Sequence, residues 1–216
     1  MDLILFGMQG SGKGTLGRTL AENFNMQIFD TGGALRELMK EDSKLSRKIK
    51  EIVNRGDLVP NDIIMEIVQD FIEKSDKTKS VIFDGIPRSV IQSETLIQTL
   101  EKNNRKYKAL LLDISEKTAL TRLTTRKMCK SCGAIYPADY TKNICTKKID
   151  GKICNGELYT RADDIPDAIQ KRLENYKEST IPAMEKFKNQ LIIIDGEPNI
   201  NEVKKSAFKI LNELLK

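Results

Sequence analysis

Leu3-Ile4-Leu5-Phe6-Gly7-Met8-Gln9-Gly10-Ser11-Gly12-Lys13-Gly14-Thr15 reads as a short strand, a glycine-rich turn and the start of a helix. Four apolar residues in a row suit a strand covered on both faces. Gly7, Gly12 and Lys13 stand at the spacing G-x-x-x-x-G-K, in which the loop turns its backbone N–H groups inward around a phosphate and the lysine reaches the outer phosphates. Leu16, Leu20 and Phe24 follow at helical spacing, so the positive end of that helix points at the same anion. Where Ser or Thr usually follows the lysine to hold Mg²⁺, Gly14 stands instead and Thr15 comes one place later. The metal therefore needs its protein anchor elsewhere.

A second buried-type strand, Val81-Ile82-Phe83, supplies that anchor in Asp84, followed by Gly85-Ile86-Pro87-Arg88. An acidic residue at the carboxyl end of a strand beside such a loop is where these folds hold Mg²⁺, directly or through water. The plainer reading of Asp84 is a turn aspartate before glycine. Arg88 precedes a helix and can fork onto a phosphate. Ser89 and Gln92 fit an S-x-x-Q capping box, so spacing alone makes Gln92 a helix-end hydrogen bond. Further strands read at Ile28-Phe29, Tyr107 to Leu112 and Leu191 to Ile194. Between them lie helices, including one with Ile63, Ile64, Ile67, Val68, Phe71 and Ile72 on its apolar side, capped by Asn61. Thr31 reads as an N-cap, as a ligand contact, or as both. A helix from about Glu116 carries Leu120 and Leu123 inward, with Arg122 and Arg126 four apart on another face, which by itself is ordinary solvated surface. Asp163-Asp164-Ile165-Pro166 opens a long helix bearing Arg172 and running to about Phe187. Strands alternating with helices imply an α/β fold: a five-stranded parallel sheet with helices on both faces and ligands at the carboxyl ends of the strands.

At 216 residues, one core with inserted appendages is expected. The formal charge of +5 comes from 36 basic and 31 acidic residues spread along the chain, without the concentrated block of a nucleic-acid arm. No apolar run approaches membrane-spanning length and the chain enters a strand at once, which leads us to expect a cytoplasmic protein without a signal peptide. Histidine is absent, so the commonest general base and the commonest metal ligand are both missing. Chemistry must run on positioning and charge.

All four cysteines lie between positions 129 and 154: Cys129-x-x-Cys132-Gly, then Cys145 and, with eight residues between, Cys154. In a cytoplasmic chain this clustering favours a tetrahedral Zn²⁺ site over disulfides or free thiols. The second spacing is long for a zinc knuckle; if Cys145 falls short, Asp150 or a water completes the shell. Ile135, Tyr136, Ile144, Ile149 and Ile153 are the side chains available to pack such a module, which needs a staple at that size.

With these residues laid out, the whole chain resembles the adenylate kinases of the bacterial, zinc-bearing long-lid type, within the nucleoside monophosphate kinase family of P-loop kinases. Asp84-Gly85-Ile86-Pro87-Arg88 matches the family's D-G-[FYI]-P-R signature, and Gly7 to Thr15 matches its G-x-P-G-x-G-K-G-T loop. The resemblance implies ATP + AMP ⇌ 2 ADP with Mg²⁺. It implies that Gly10, Ser11, Gly12, Lys13, Gly14, Thr15 and Arg122 bind ATP, and that Thr31, Gly32, Arg36, Leu58, Val59, Gly85, Arg88 and Gln92 bind AMP, against the capping reading of Gln92. Lys13, Asp84, Arg88, Arg126, Arg161 and Arg172 become the catalytic set, and Cys129, Cys132, Cys145 and Cys154 the ligands of a structural Zn²⁺. Because the arginines sit on separate segments, closure is expected to bring them together. The expected organisation is a P-loop core of residues 1–30, 60–122 and 162–216, an AMP-binding subdomain of 31–59 and a zinc-bearing lid of 123–161. The expected partners are ATP, AMP and ADP, with no nucleic acid and no membrane, for a monomer.

Three positions depart from the family pattern. Gln9 replaces the loop proline, Gly33 stands where an aspartate usually follows Thr-Gly, and Cys145 lies six residues upstream of the usual third ligand. Two rival readings remain: a UMP/CMP or GMP kinase of the same fold, opposed by Gln92 and Leu58-Val59, and a P-loop protein with a nucleic-acid-binding zinc ribbon, for which Tyr136 is the single exposed-aromatic candidate.

Overall fold

The computed structural model describes residues 1–137 and 140–214. Its centre is a five-stranded parallel sheet. In chain order the elements begin β1 (Asp2–Gly7), α1 (Lys13–Phe24), β2 (Gln27–Asp30), α2 (Thr31–Leu38), α3 (Lys44–Arg55), α4 (Asn61–Lys74), β3 (Val81–Asp84), α5 (Val90–Lys102), β4 (Tyr107–Asp113) and α6 (Glu116–Thr124). A module of short strands follows: β5 (Lys127–Cys129), β6 (Ile135–Tyr136), β7 (Lys148–Ile149), β8 (Lys152–Ile153) and β9 (Leu158–Tyr159). The chain closes with α7 (Pro166–Asn175), α8 (Ile181–Glu185), β10 (Leu191–Asp195) and α9 (Ile200–Leu214). The sheet order is β10-β4-β1-β3-β2, with β1 at the centre.

The apolar run at the N-terminus explains that central place. Every residue of β1 is buried, and its side chains alternate between two cores. Ile4 and Phe6 pack with Ile64 and Val68 of α4 and Leu96 and Leu100 of α5, while Leu3 and Leu5 pack with Leu16 and Leu20 of α1 and Val203 and Leu211 of α9. A strand buried on both faces belongs inside a parallel sheet layered by helices.

Several local expectations are corrected. Asn61 is the first residue of α4 and Pro60 its cap, because the Asn61 side-chain oxygen is taken by Ser89 Oγ and Gln92 Nε2, each at 2.9 Å. On α6 the inward residues are Ala119 and Leu123, whereas Leu120 is exposed. The long helix after Pro166 is continuous to Glu185 but widens into π geometry over Tyr176–Thr180. Pro182, which lacks an N–H for the helical ladder, comes two residues after Thr180.

In the cysteine module β5 pairs antiparallel with β6 and β9. The long spacing before Cys154 is accounted for by a hairpin: β7 and β8 pair, and Asp150 and Gly151 turn between them at φ 48° and 77°. Both turn residues need positive φ in such a hairpin, which is why Asp-Gly recurs there. Asp150 therefore sits in the hairpin turn and not among the sulfurs. Of the five side chains expected to pack this module, only Tyr136 is buried; Ile135, Ile144, Ile149 and Ile153 are exposed. Cys129, Cys145 and Tyr136 form its small core instead, with Tyr140 and Leu158 against them. No helix among the described residues is long and apolar enough to cross a membrane.

Candidate active site

A cavity of about 750 Å³ opens at the carboxyl ends of the strands. The glycine loop forms its floor. Gly12 caps α1 at φ 97°, a left-handed conformation that lets the backbone turn into the helix without a Cβ clash. The Lys13 ammonium donates to Gly7 O at 2.5 Å, Met8 O at 2.9 Å and Ser11 Oγ at 3.4 Å. Burial lowers its pKa to about 8, with Asp84 opposing and Arg88 and Arg126 adding to the shift. Gly10, Ser11, Gly14 and Thr15 all line the cavity, as does Gln9, whose Oε1 is buried without a hydrogen-bond partner among the described residues.

Asp84 ends β3 and is buried, which raises its pKa; Lys13 opposes that rise and Asp30 adds to it. A methyl group on Gly14 would come within 3.1 Å of Asp84 Oδ2. The carboxylate thus lies over the very glycine that replaces the usual hydroxyl residue.

Along the neighbouring wall, Thr31 Oγ1 donates to Asp84 O at 3.1 Å, so its side chain ties two strand ends together and makes no N-cap; Asp30 precedes the helix. Arg36 meets Asp30 at 3.4 Å. At the departure Gly33, a methyl would approach Asp30 Oδ2 to 2.8 Å, so a side chain there would have to move the Asp30 carboxylate. Arg88 donates through Nε to Gly85 O at 2.8 Å. Gln92 is buried with both ends of its amide engaged: Oε1 accepts from Arg88 N at 2.7 Å and Nε2 donates to Asn61. Its own N–H meets Ser89 Oγ at 3.3 Å, so half of the capping box forms and the reciprocal bond shifts by one residue. Gly32, Leu58 and Val59 complete this wall.

The remaining arginines line the same cavity and are gathered in this conformation around two carboxylates. Arg126 forks onto Asp164 at 2.9 and 2.6 Å. Arg172 bonds Asp163 Oδ2 at 3.1 Å, Asp163 O at 2.8 Å and Asp164 Oδ1 at 2.9 Å, and Arg161 reaches Asp163 Oδ1 at 2.8 Å. Both aspartates are buried, and the facing guanidiniums hold the Asp163 carboxyl below its usual range against the effect of burial. Sequence reading missed these two as site residues, treating them only as the start of a helix. The available signal was a pair of adjacent carboxylates just before the helix that bears Arg172. Arg122 stands apart, donating to Gly196 O at 3.0 Å and Glu197 O at 3.2 Å; the cavity wall beside it, Pro198 to Ile200 and Val203, was also not anticipated.

The four cysteine sulfurs lie within 4.8 Å of one another. Cys129 and Cys154 are 3.8 Å apart and Cys132 and Cys145 3.5 Å. Tetrahedral zinc with Zn–S bonds of about 2.3 Å requires S···S edges of about 3.8 Å, so the donor set fits. Burial works against the Cys129 thiolate, but backbone N–H groups of Cys132 and Ser131 outweigh it and bring that thiol down to about 7.

A family model for adenylate kinase matches residues 5–192. The chain is 36% identical over 218 residues to the adenylate kinase of Thermosipho melanesiensis, covering 98% of this chain and 99% of the relative. It is 37% identical to that of Methanocella arvoryzae, over 94% of each, and 33% identical to that of Archaeoglobus fulgidus, over 99% of each. The chain belongs to the adenylate kinase family. It is therefore a nucleotide-binding phosphotransferase, and the resemblance carried by the Asp84-to-Arg88 signature holds along its length.

Proposed function

We propose that the chain transfers the terminal phosphoryl group of MgATP to AMP, giving two ADP. The observation that carries this reading is the set of five cations, Lys13, Arg88, Arg126, Arg161 and Arg172, lining one cavity whose walls come from separate segments. The transferring group has a loose transition state with charge on its equatorial oxygens, so alignment and neutralisation suffice and no histidine is needed. Lys13 and the loop N–H groups from Gly10 to Thr15 hold the ATP phosphates. Arg36 and Arg88 hold the AMP phosphate, while Thr31, Gly32, Leu58, Val59, Gly85 and Gln92 seat its adenine. Arg126, Arg161 and Arg172 neutralise the group in flight, with Asp163 and Asp164 fixing their orientation, and Arg122 covers the ATP adenine.

Asp84 suits the Mg²⁺ that adenylate kinases use with ATP, being a buried carboxylate directly over Gly14. That ion supplies charge neutralisation on the outer phosphates. Cys129, Cys132, Cys145 and Cys154 hold one structural Zn²⁺ in a lid of residues 123–161; residues 31–59 form the AMP-binding subdomain, and the rest is the core. The enzyme works as a cytoplasmic monomer and binds no nucleic acid. Tyr136, the aromatic that a nucleic-acid ribbon would need exposed, is buried.

Coupled assay of ADP formation with AMP, GMP, CMP and UMP as acceptors tests the reading. AMP should be strongly preferred, and a rate with UMP or CMP equal to that with AMP would overturn it.

A further inference from the structure

Cys145 is the ligand whose place the sequence left in doubt, and the structure surrounds it with two tyrosines. Tyr136 Oη donates to Cys145 Sγ at 3.1 Å and accepts from Thr146 N at 2.9 Å and Lys147 N at 3.1 Å. One donor and two acceptor sites are all that a phenol offers, so this hydroxyl is saturated by the sulfur and by the two residues that follow it. Tyr140 packs on Tyr136 with ring centroids 4.2 Å apart. Its hydroxyl lies 2.8 Å from Ile144 O, to which it donates, and 3.0 Å from Thr146 Oγ1. The residues on both sides of Cys145 are thus gripped by side chains, and Cys145 N donates to Gly156 O at 2.8 Å while its carbonyl accepts from Asn155 N at 3.0 Å. The hairpin of β7 and β8 leaves the chain after this clamp and returns at Cys154, whose N–H meets Lys147 O at 2.9 Å.

We propose that Tyr136, braced by Tyr140, is the positioning residue that aims Cys145 at the lid metal and allows an eight-residue hairpin to separate two ligands of one site. A hydroxyl donating to a ligand sulfur fixes its orientation and withdraws electron density from it. The inference rests on the zinc reading above.

The test uses the full-length protein loaded with Zn²⁺ or Co²⁺, with affinity measured by competition against a chromophoric chelator. Tyr136→Phe keeps the ring packed on Tyr140 and removes only the hydroxyl. It should lower Zn²⁺ affinity by roughly 10–100-fold, the range for loss of such an outer partner, and should shift the thiolate-to-cobalt charge-transfer band. Tyr140→Phe should give a smaller loss of the same kind and serves if Tyr136→Phe does not fold. In a Cys145→Ser background, Tyr136→Phe should cost no further affinity, because its effect runs through that sulfur. Additive losses in the double variant, or an affinity and cobalt spectrum of Tyr136→Phe and Tyr140→Phe equal to the parent's, would overturn the clamp while leaving zinc in place. A parent protein that takes up no stoichiometric zinc would remove the zinc reading itself, and the clamp with it.

Discussion

Lys13 and Arg88 face the cavity bonded to carbonyl and hydroxyl oxygens, whereas Arg126, Arg161 and Arg172 face it from the other side already sharing two carboxylates. Each group of cations is kept ready in its own way. A backbone carbonyl holds a cation in place without cancelling its charge, so the first pair is offset only through space, chiefly by Asp84, and not by a bonded carboxylate. Arg161 lies close enough to Arg172 to help pull its pKa down after burial, and without Asp163 and Asp164 the three guanidiniums would repel one another. Two carboxylates for three guanidiniums leave a net positive charge for the group in flight.

The comparison breaks most sharply at the first pair. Lys13→Ala and Arg88→Ala should each lower kcat/KM by roughly 10² or more, the scale of losing one preorganised charge stabiliser. Steady-state kinetics on protein with an unchanged circular dichroism spectrum measure this. Near-normal activity at either position would mean that the phosphates bind elsewhere.

Asp164→Ala should act differently, costing stability as well as rate. Removing one partner of a buried ion pair costs about 3–5 kcal/mol; here Arg126 would lose its carboxylate, while Arg172 would keep Asp163. Chemical denaturation should show a loss of that order, with kcat down about tenfold from misaligned arginines and nucleotide KM little altered. Full activity and unchanged stability would show that the arginines hold position without the aspartates.

Gln92→Leu sharpens the neighbouring wall. We expect the KM for AMP to rise about tenfold with kcat within a few-fold of the parent, since a buried site missing one hydrogen bond loses ~1–3 kcal/mol. Unchanged discrimination between AMP and GMP would reduce Gln92 to the helix-end role that its spacing first suggested.

That residue marks the limit of what the sequence made legible. The glycine loop, the five strands and Asp84 at a strand end were readable because each follows from a local pattern: an apolar run, a spacing, a turn. Thr31, Asn61 and Gln92 carry polar side chains that local rules assign to helix caps, yet distant partners claim them, Thr31 by Asp84 O and the other two by each other. Leu120 fits an inward stripe by spacing but loses its place to the smaller Ala119, over which the glycine loop passes: a Cβ on Gly10 would lie 3.0 Å from Ala119 O. Cys145 looked too distant in sequence because the device that carries it home, a hairpin and two packed tyrosines, is a tertiary arrangement.

The smallest effect concerns the charge of Lys13, and its sign separates binding from stability. The folded pKa is about 8 against 10.5 for the free side chain, mainly because burial disfavours the ammonium. At low ATP, kcat/KM reports the free enzyme, so it should halve near pH 8 and decline further above, as the lysine loses the proton that attracts phosphate. Bound ATP adds negative charge beside the ammonium and raises its pKa, so kcat at saturating nucleotide should stay level to higher pH. Stability moves the other way. Between about pH 8 and 10.5 the unfolded chain binds more protons at this group than the folded one, so the lysine's contribution to stability increases with pH across that window. Lys13→Met should abolish both trends while leaving those of the surface lysines. Parallel pH profiles of kcat/KM and of denaturation midpoints, for the parent and this variant, measure the pair. A kcat/KM for ATP that stays flat to pH 9.5 in the parent would mean that the loop carbonyls hold the ammonium charged despite its burial, and the contrast between Lys13 and the carboxylate-paired arginines would shrink to one of geometry alone.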